Sequence, residues 1–158
     1  MVQFVAIIPA RGGSKELPGK NVKKINNKPL IEYTIDAALS CNLIERVICT
    51  TDDDEISSVA ISAGAEVPFK RPFNLSTDTA HTPPVIEHAL DFIEKKEKIR
   101  IQNVITLQPT SPLRQTIHIE KAIEEFSKNN FDSLISVKDG FPPWWMFTAS
   151  KNKLQPFA

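Results

Sequence analysis

Several features are scarce or missing in this 158-residue chain, and each absence excludes a class of protein. Basic and acidic residues number 19 each, so the chain lacks the positive excess of a general nucleic-acid or membrane-surface binder. No apolar run approaches the roughly 20 residues that span a bilayer. The short N-terminal apolar run precedes its charges, whereas a secretory signal has its charges first. We therefore expect a cytosolic (cytoplasmic) protein with no nucleic-acid and no membrane partner.

The residues and motifs of several common chemistries are few as well. Cys41 and Cys49 do not form a CxxC pair, which favours a reduced, structural role for both. The three histidines are scattered and no HExxH motif occurs, which disfavours a metal site built on histidine. Gly19 and Lys20 are followed by Asn21 rather than Ser or Thr, so the chain lacks a Walker A loop, and it lacks GxGxxG too.

What the chain does contain is an alternation of apolar strands and amphipathic helices. The apolar runs predict strands at Phe4–Ile8, Arg46–Thr50, Glu66–Phe69, Asn103–Leu107 and Ser133–Val137. Helical spacing and capping residues predict helices that start near Pro29, at Asp52 with Glu55 as a capping box, at Thr82 as N-cap before Pro83, and near Ile119. This order predicts an α/β fold, with a mostly parallel sheet and helices on both faces.

The loops after Ile8, Thr50 and Leu107 are where we expect a ligand, because such sheets bind ligands at the carboxyl ends of their strands. The first of these loops is strongly basic. From Ile8 to Lys28 it has one acidic residue, Glu16, against six basic ones: Arg11, Lys15, Lys20, Lys23, Lys24 and Lys28. With Gly12, Gly13 and Ser14 they could form a cradle for a polyphosphate, although a basic loop can also be plain solvated surface.

The full string of this loop resembles a family signature. Ile8–Asn21 reads IPARGGSKELPGKN and is similar to the IPARxGSKxxPxKN pattern of the acylneuraminate cytidylyltransferases. TDDDE at 51–55, RPFNLSTDTAHT at 71–82 and LQPTSPLR at 107–114 resemble further segments of that family in the same order. The resemblance runs from about Phe4 to Val137 and implies a three-layer, Rossmann-like nucleotidyltransferase fold.

The resemblance implies a reaction and a set of site residues. The family transfers CMP from CTP to the anomeric hydroxyl of a sialic-acid-like nonulosonic acid and releases pyrophosphate. By resemblance, the CTP site would consist of Ala10, Arg11, Gly12, Gly13, Ser14, Lys15, Lys20, Asn21, Arg71, Ala80 and Thr82. The sugar would contact Gln108, Ser111 and Arg114, and the residues closest to the chemistry would be Arg11, Lys20 and Gln108.

The resemblance also implies groups that these 158 residues do not supply. The aspartates that bind the family's Mg²⁺ cofactor come later in the family's sequence, so we expect no metal ligand here. Residues 1–137 would form the nucleotide-binding domain, and residues 138–158 would begin a region for sugar binding and homodimer formation. We accordingly expect impaired turnover, with a non-catalytic CTP-binding remnant as the alternative function.

Two further features have more than one interpretation. Asp52 and Asp54 spell DxD, which would suit a metal-dependent glycosyltransferase, but acidic residues at a helix start are also ordinary capping groups. Trp144 and Trp145 suit core or interface packing, or the wall of a sugar pocket.

Overall fold

The structure, a computed structural model, describes residues 2–15, 17–129, 131–137, 147–150 and 153–156. The chain divides into two compact units, residues 1–125 and residues 126–158. In chain order the elements are β1 (Val2–Pro9), β2 (Lys24–Ile25), β3 (Lys28–Pro29), α1 (Leu30–Leu39), β4 (Arg46–Thr50), α2 (Asp54–Ser62), a 3₁₀ turn (Phe73–Leu75), α3 (Thr82–Glu97), β5 (Ile101–Thr106), α4 (Thr116–Asn129), β6 (Phe147–Ser150) and β7 (Lys153–Pro156).

A parallel sheet in the order β4-β1-β5 forms the centre of the first unit. In the middle strand, Ile7 lies opposite Ile48 on one side and Thr106 on the other. The predicted strand at Glu66–Phe69 is reduced to a single parallel bridge between Ile48 and Glu66. Pro68 explains why the pairing stops, since proline has no N–H for a ladder hydrogen bond.

Helices cover both faces of this sheet. On one face, Val5, Ile7 and Ile48 pack with Ile86, Ala89 and Ile93 of α3 in a buried core. The chain passes from β1 to β4 on one side of the middle strand, and then from β4 back across the sheet to β5 on the other side. Because both crossovers are right-handed and run in opposite directions, α1 lies on the face opposite to α3, where it contacts β1 and β4. The predicted α/β architecture is therefore confirmed.

The starts of α2 and α3 each differ by one residue from the sequence prediction. Asp53, not Asp52, caps α2, because its Oδ1 accepts from the N–H groups of Glu55 and Ile56, both at 2.9 Å. Thr82 is the first residue of α3 rather than its N-cap, which is His81 with no side-chain cap hydrogen bond. The next two residues of the first turn are both proline and have no N–H, so the donors that a cap would satisfy are missing.

The predicted strand at Ser133–Val137 is wrong. These five residues have no regular secondary structure, and the side chains of Ile135 and Val137 are 81% and 86% exposed. The apolar, β-branched residues of Ser133–Val137 favour a strand locally, but a strand also needs a neighbouring strand that supplies hydrogen-bond partners. In the described part of the chain no strand pairs with this segment.

The second unit contains an antiparallel hairpin in which β6 pairs with β7. The predicted roles of Trp144 and Trp145 concern residues outside those that the structure describes. The division predicted after residue 137 stays a prediction. The small hairpin of β2 and β3 was not predicted from the sequence, and its turn residues Asn26 and Asn27 both have positive φ, of 49° and 64°.

Candidate functional site

The basic loop leaves β1 at the carboxyl end of the sheet and folds on its own backbone. Ala10 donates its N–H to the carbonyl of Thr50 at 3.0 Å, which continues the sheet by one residue. A turn follows in which the N–H of Lys20 reaches the carbonyl of Leu17, and Gly19 adopts a φ of 66° that favours glycine. Buried Asn21 then donates its side-chain amide to the carbonyl of Arg11 at 3.1 Å. The cations Arg11 and Lys20 are thereby brought to one side of the loop.

Gly12 lies directly against the start of α2. Its N–H donates to Oδ1 of Asp52 at 3.1 Å. A Cβ at Gly12 would lie 2.5 Å from Oδ2 of Asp53, whereas at Gly13 no described atom lies within 4 Å of such a Cβ. The loop therefore approaches the helix closely at Gly12 and needs glycine there for space.

Arg71 is an almost completely buried cation, with 5% of its surface exposed. Its backbone N–H donates to the carbonyl of Thr51 at 2.8 Å, and its Nη2 lies 3.7 Å from Oδ1 of Asp52. Burial lowers the pKa of Arg71, and the nearby Asp52 carboxylate opposes that effect. Within the part of the chain that the structure describes, Nε and Nη2 of Arg71 and Oδ1 of Asn21 are buried without a hydrogen-bond partner. Such groups are rare in native proteins, and a ligand is one way to satisfy them.

A cavity of about 160 Å³ brings these groups together. Seven predicted site residues line it: Arg11, Lys20, Asn21, Arg71, Ala80, Thr82 and Gln108. The rest of its lining, which the sequence analysis did not single out, is Pro9, Leu75, Thr77, Val85, Pro109 and Thr110. Most of these residues lie within the motifs quoted above or next to them, so their position in the motifs is the signal that could have identified them.

The other predicted site residues lie outside the cavity lining. The set consists of Ala10, Gly12, Gly13, Ser14, Lys15, Ser111 and Arg114. Arg114 contacts the backbone of the loop after β5 and the helix α1. Its Nη1 lies 3.2 Å from the carbonyl oxygen of Gln108 and 3.5 Å from Oγ1 of Thr34. Burial lowers the pKa of this guanidinium. Ser111 is exposed, and its carbonyl accepts the N–H of Arg114.

Beside the cavity, one carboxylate contacts two cations of the basic loop. Oδ1 of Asp78 lies 2.6 Å from Nη1 of Arg11, and Oδ2 lies 2.5 Å from Nζ of Lys15. The hydrogen bonds from Lys15 and then Arg11 lower the pKa of Asp78. Asp78 belongs to the turn in which Ala80 donates its N–H to the carbonyl of Thr77 at 3.2 Å.

The three consecutive aspartates all have structural partners. Asp52 contacts Gly12 and Arg71, Asp53 caps α2, and Asp54 forms an ion pair with Lys70 at 2.6 Å. In the described ranges, no group of three or more His, Cys, Asp or Glu side chains is placed to hold a metal ion. The described residues therefore do not form a cluster of protein ligands that could enclose a metal ion. Nor, among these residues, does any helix have the length and apolar character needed to cross a membrane.

Comparison with solved structures bears on the fold. The structure of CMP:2-keto-3-deoxy-manno-octonic acid synthetase complexed with CTP matches with a TM-score of 0.64 at 23% identity, over 81% of this chain and 48% of that one. A cytidylyltransferase from Leptospira borgpetersenii matches with a TM-score of 0.61 at 20% identity, over 82% of this chain and 50% of that one. At these identities the likeness shows the fold alone.

Comparison with curated proteins gives closer relatives. CMP-N,N'-diacetyllegionaminic acid synthase of Legionella pneumophila is 40% identical over 91% of this chain and 62% of its own length. A pseudaminic acid cytidylyltransferase of Campylobacter jejuni is 37% identical, over 85% of this chain and 58% of its own length. The N-acylneuraminate cytidylyltransferase of Escherichia coli is 40% identical, over 85% of this chain and 31% of its own length. The chain thus spans between about a third and three fifths of the length of these relatives. A family model described as cytidylyltransferase matches residues 5–153, and the chain therefore belongs to the cytidylyltransferase family.

Proposed function

We propose that this chain binds CTP in the cavity and forms the nucleotide-binding part of an enzyme that transfers CMP to a nonulosonic acid. The observation that carries the proposal is the composition of the cavity wall. Two cations, Arg11 and Lys20, line the same cavity as Asn21 and Arg71, whose buried polar atoms have no hydrogen-bond partner in the described residues. An anionic ligand with both donors and acceptors would satisfy all four side chains.

CTP has the groups that this wall requires. The ring nitrogen and the carbonyl oxygen of cytosine accept hydrogen bonds, and the guanidinium of Arg71 has N–H groups that need an acceptor. The ribose hydroxyls can donate to Oδ1 of Asn21. Each buried polar group left unsatisfied costs about 1–3 kcal/mol, so a ligand that satisfies Arg71 and Asn21 gains affinity over one that does not. Ala80 and Thr82 at the start of α3 would complete the nucleoside contacts.

The phosphates would lie against the basic loop. When the anomeric hydroxyl oxygen attacks the α-phosphorus, its proton passes to water, the bond from the α-phosphorus to the bridging oxygen breaks, and pyrophosphate leaves with additional negative charge. The folded loop fixes the backbone at Arg11 and at Lys20, so both cations are carried close to the place where that charge develops and can stabilise it. Gly12, Gly13, Ser14 and Lys15 would extend the anion-binding surface beyond the cavity.

Gln108 would orient the acceptor sugar. It lines the cavity at the end of β5, and its backbone is held by Arg114 and Thr34. An amide side chain can donate and accept, and it stays neutral, so it suits hydrogen bonds to a polyhydroxylated sugar acid. A nonulosonic acid is supported as the sugar because the three relatives described above are named for legionaminic, pseudaminic and N-acylneuraminic acid.

The setting of the reaction follows from the same resemblance. We propose a cytoplasmic reaction, since CTP is a cytoplasmic metabolite, and a homodimer as the working unit of the whole enzyme. A divalent cation would accompany CTP, with ligands from outside the described residues, in which no suitable cluster occurs.

The proposal is tested by measuring CTP binding calorimetrically with Mg²⁺ present, for the wild type and for Lys20→Met. The change removes a cation from the cavity wall, so CTP affinity should fall about 10- to 100-fold, as expected for the loss of a charge-assisted hydrogen bond. Lys121→Met, at an exposed position of α4, is the matched control and should bind CTP like the wild type.

Pyrophosphate release from CTP, with a panel of nonulosonic acids as acceptors, then separates the enzyme from its alternative. Release with one of the sugars supports the transferase. CTP binding without release from any sugar supports the non-catalytic CTP-binding remnant. A wild-type chain that does not bind CTP, or CTP affinity that is the same for Lys20→Met, contradicts the proposal.

A further inference from the structure

We propose that Asp78 competes with phosphates for Arg11 and Lys15 and so weakens the binding of pyrophosphate and of the CTP triphosphate. The inference rests on the proposed use of these two cations for the triphosphate. Asp78 is not among the residues to which the resemblance gives a role, and it does not line the cavity.

The geometry of Asp78 is that of a bound oxyanion. Its two oxygens are divided between two cations, with Oδ1 at 2.6 Å from Arg11 and Oδ2 at 2.5 Å from Lys15. Two neighbouring oxygens of a phosphate group would make the same pair of charge-assisted contacts. The carboxylate therefore stands where we expect an oxygen pair of the ligand.

The carboxylate is also placed so that a ligand can displace it. Its side chain and that of Arg11 are about one third exposed, and that of Lys15 is largely exposed. Exposed ion pairs are weak because water screens them, so a polyphosphate with several negative charges can replace a single carboxylate. Asp78 and a phosphate on the same cations would repel each other.

Asp78 is coupled to the cavity through its own turn. Thr77 and Ala80 are hydrogen-bonded across this turn and both line the cavity, with Asp78 between them. The basic loop and the segment that leads into α3 are thus joined through Asp78 before any anion is bound.

Competition of this kind affects the ligands that bring phosphates to the basic loop, which are CTP and pyrophosphate. A ligand that brings phosphates to Arg11 and Lys15 has its apparent affinity reduced by the fraction of protein in which Asp78 occupies them. CTP has its nucleoside contacts in addition, whereas pyrophosphate depends on the basic loop alone. Asp78 would therefore lower the affinities for pyrophosphate and CTP by a similar factor, and pyrophosphate, which has no nucleoside contacts, would be the weaker-bound ligand and would leave more readily. Product release limits turnover in many enzymes.

The test measures calorimetric affinities for inorganic pyrophosphate, CTP and cytidine in the wild type, Asp78→Asn and Asp91→Asn. Asparagine keeps the shape and removes the charge, so pyrophosphate and CTP should both bind roughly 3- to 10-fold more tightly, as expected for the loss of two exposed ion pairs. Cytidine affinity should not change. Asp91 pairs with Lys95 at 2.6 Å on α3, and Asp91→Asn should leave all three affinities as in the wild type.

A residue that merely held the turn in place would give the opposite result. Asp78→Asn would then weaken CTP and cytidine together, and this outcome, or an unchanged pyrophosphate affinity, overturns the inference. Asp78→Ser, measured in the same way, guards against an effect peculiar to asparagine. Tighter pyrophosphate binding in a protein that does not bind CTP would support the inference while contradicting the proposed function. CTP binding that depends on Lys20 but not on Asp78 would support the proposed function and contradict the inference.

Discussion

Gly12→Ala tests the close approach between the basic loop and α2. The new Cβ would lie 2.5 Å from Oδ2 of Asp53, 2.9 Å from its Cβ and 3.1 Å from its Cγ, so the aspartate or the loop has to shift. Asp53 cannot shift without weakening its two capping hydrogen bonds to α2. Overpacking costs about 1–3 kcal/mol and loss of an N-cap about 0.5–2 kcal/mol. Because a shift of Asp53 relieves the clash at the expense of the cap, the two costs are alternatives and we expect the free energy of unfolding to fall by roughly 1–3 kcal/mol.

The measurement is urea denaturation of four variants. Gly13→Ala is the control for the intrinsic effect of the substitution, because no described atom is within 4 Å of its Cβ, and its free energy of unfolding should change by less than about 0.5 kcal/mol. Asp53→Gly removes the three atoms nearest to the new methyl group, and although it loses the two capping hydrogen bonds, glycine at an N-cap costs only a few tenths of a kcal/mol.

A double-mutant cycle gives the decisive comparison. If the clash is the cause, Gly12→Ala together with Asp53→Gly should be little less stable than Asp53→Gly alone, a coupling of about 1 kcal/mol or more. Equal losses for Gly12→Ala and Gly13→Ala would refute the reasoning, and so would strictly additive effects in the cycle.

Two other predictions concern buried and paired charges. Arg71→Met removes a buried guanidinium that has two nitrogens without a hydrogen-bond partner among the described residues, but it also removes the ion pair with Asp52, and these effects oppose each other. We therefore expect little change in melting temperature, while CTP affinity measured by calorimetry should fall about 10-fold or more. Glu66 accepts hydrogen bonds from Arg46, which lowers its pKa below the ordinary value of 4.5. Its contribution to stability is therefore present above pH 4.5 and is lost as the pH falls through the lowered pKa, so the gap in urea midpoint between wild type and Glu66→Gln should shrink on acidification below pH 4.5.

The parts of the fold that the sequence predicts well are those in which one local pattern has one explanation. Phe4–Ile8 is apolar throughout and forms the middle strand, buried on both faces. The loops after β1 and β5 meet at one cavity, as expected at the carboxyl ends of parallel strands. The loop directly after Thr50 contributes none of the cavity lining, and the segment from Arg71 to Val85 takes its place. The predicted roles of the individual site residues stay predictions.

The differences arise where local patterns are degenerate or where a distant partner decides. Asp52 and Asp53 are equally good capping residues, and the choice depends on the N–H of Gly12, which occupies Asp52 from a loop 40 residues away. Arginine is mostly exposed in proteins, so the local sequence pattern does not predict that Arg71 is buried in the wall of the cavity.

The burial of Cys49 gives this chain an internal reporter of opening. The thiol lies in β4, next to Thr50, whose carbonyl receives the basic loop, and burial raises the pKa of Cys49 to about 12. At neutral pH such a sulfur is a thiol rather than a thiolate, so alkylating reagents that need the thiolate react with it only after the sheet opens. Cys41 is buried too, so the rate of alkylation of this chain measures how often the native structure opens. A ligand that binds the native state in the cavity should lower that rate.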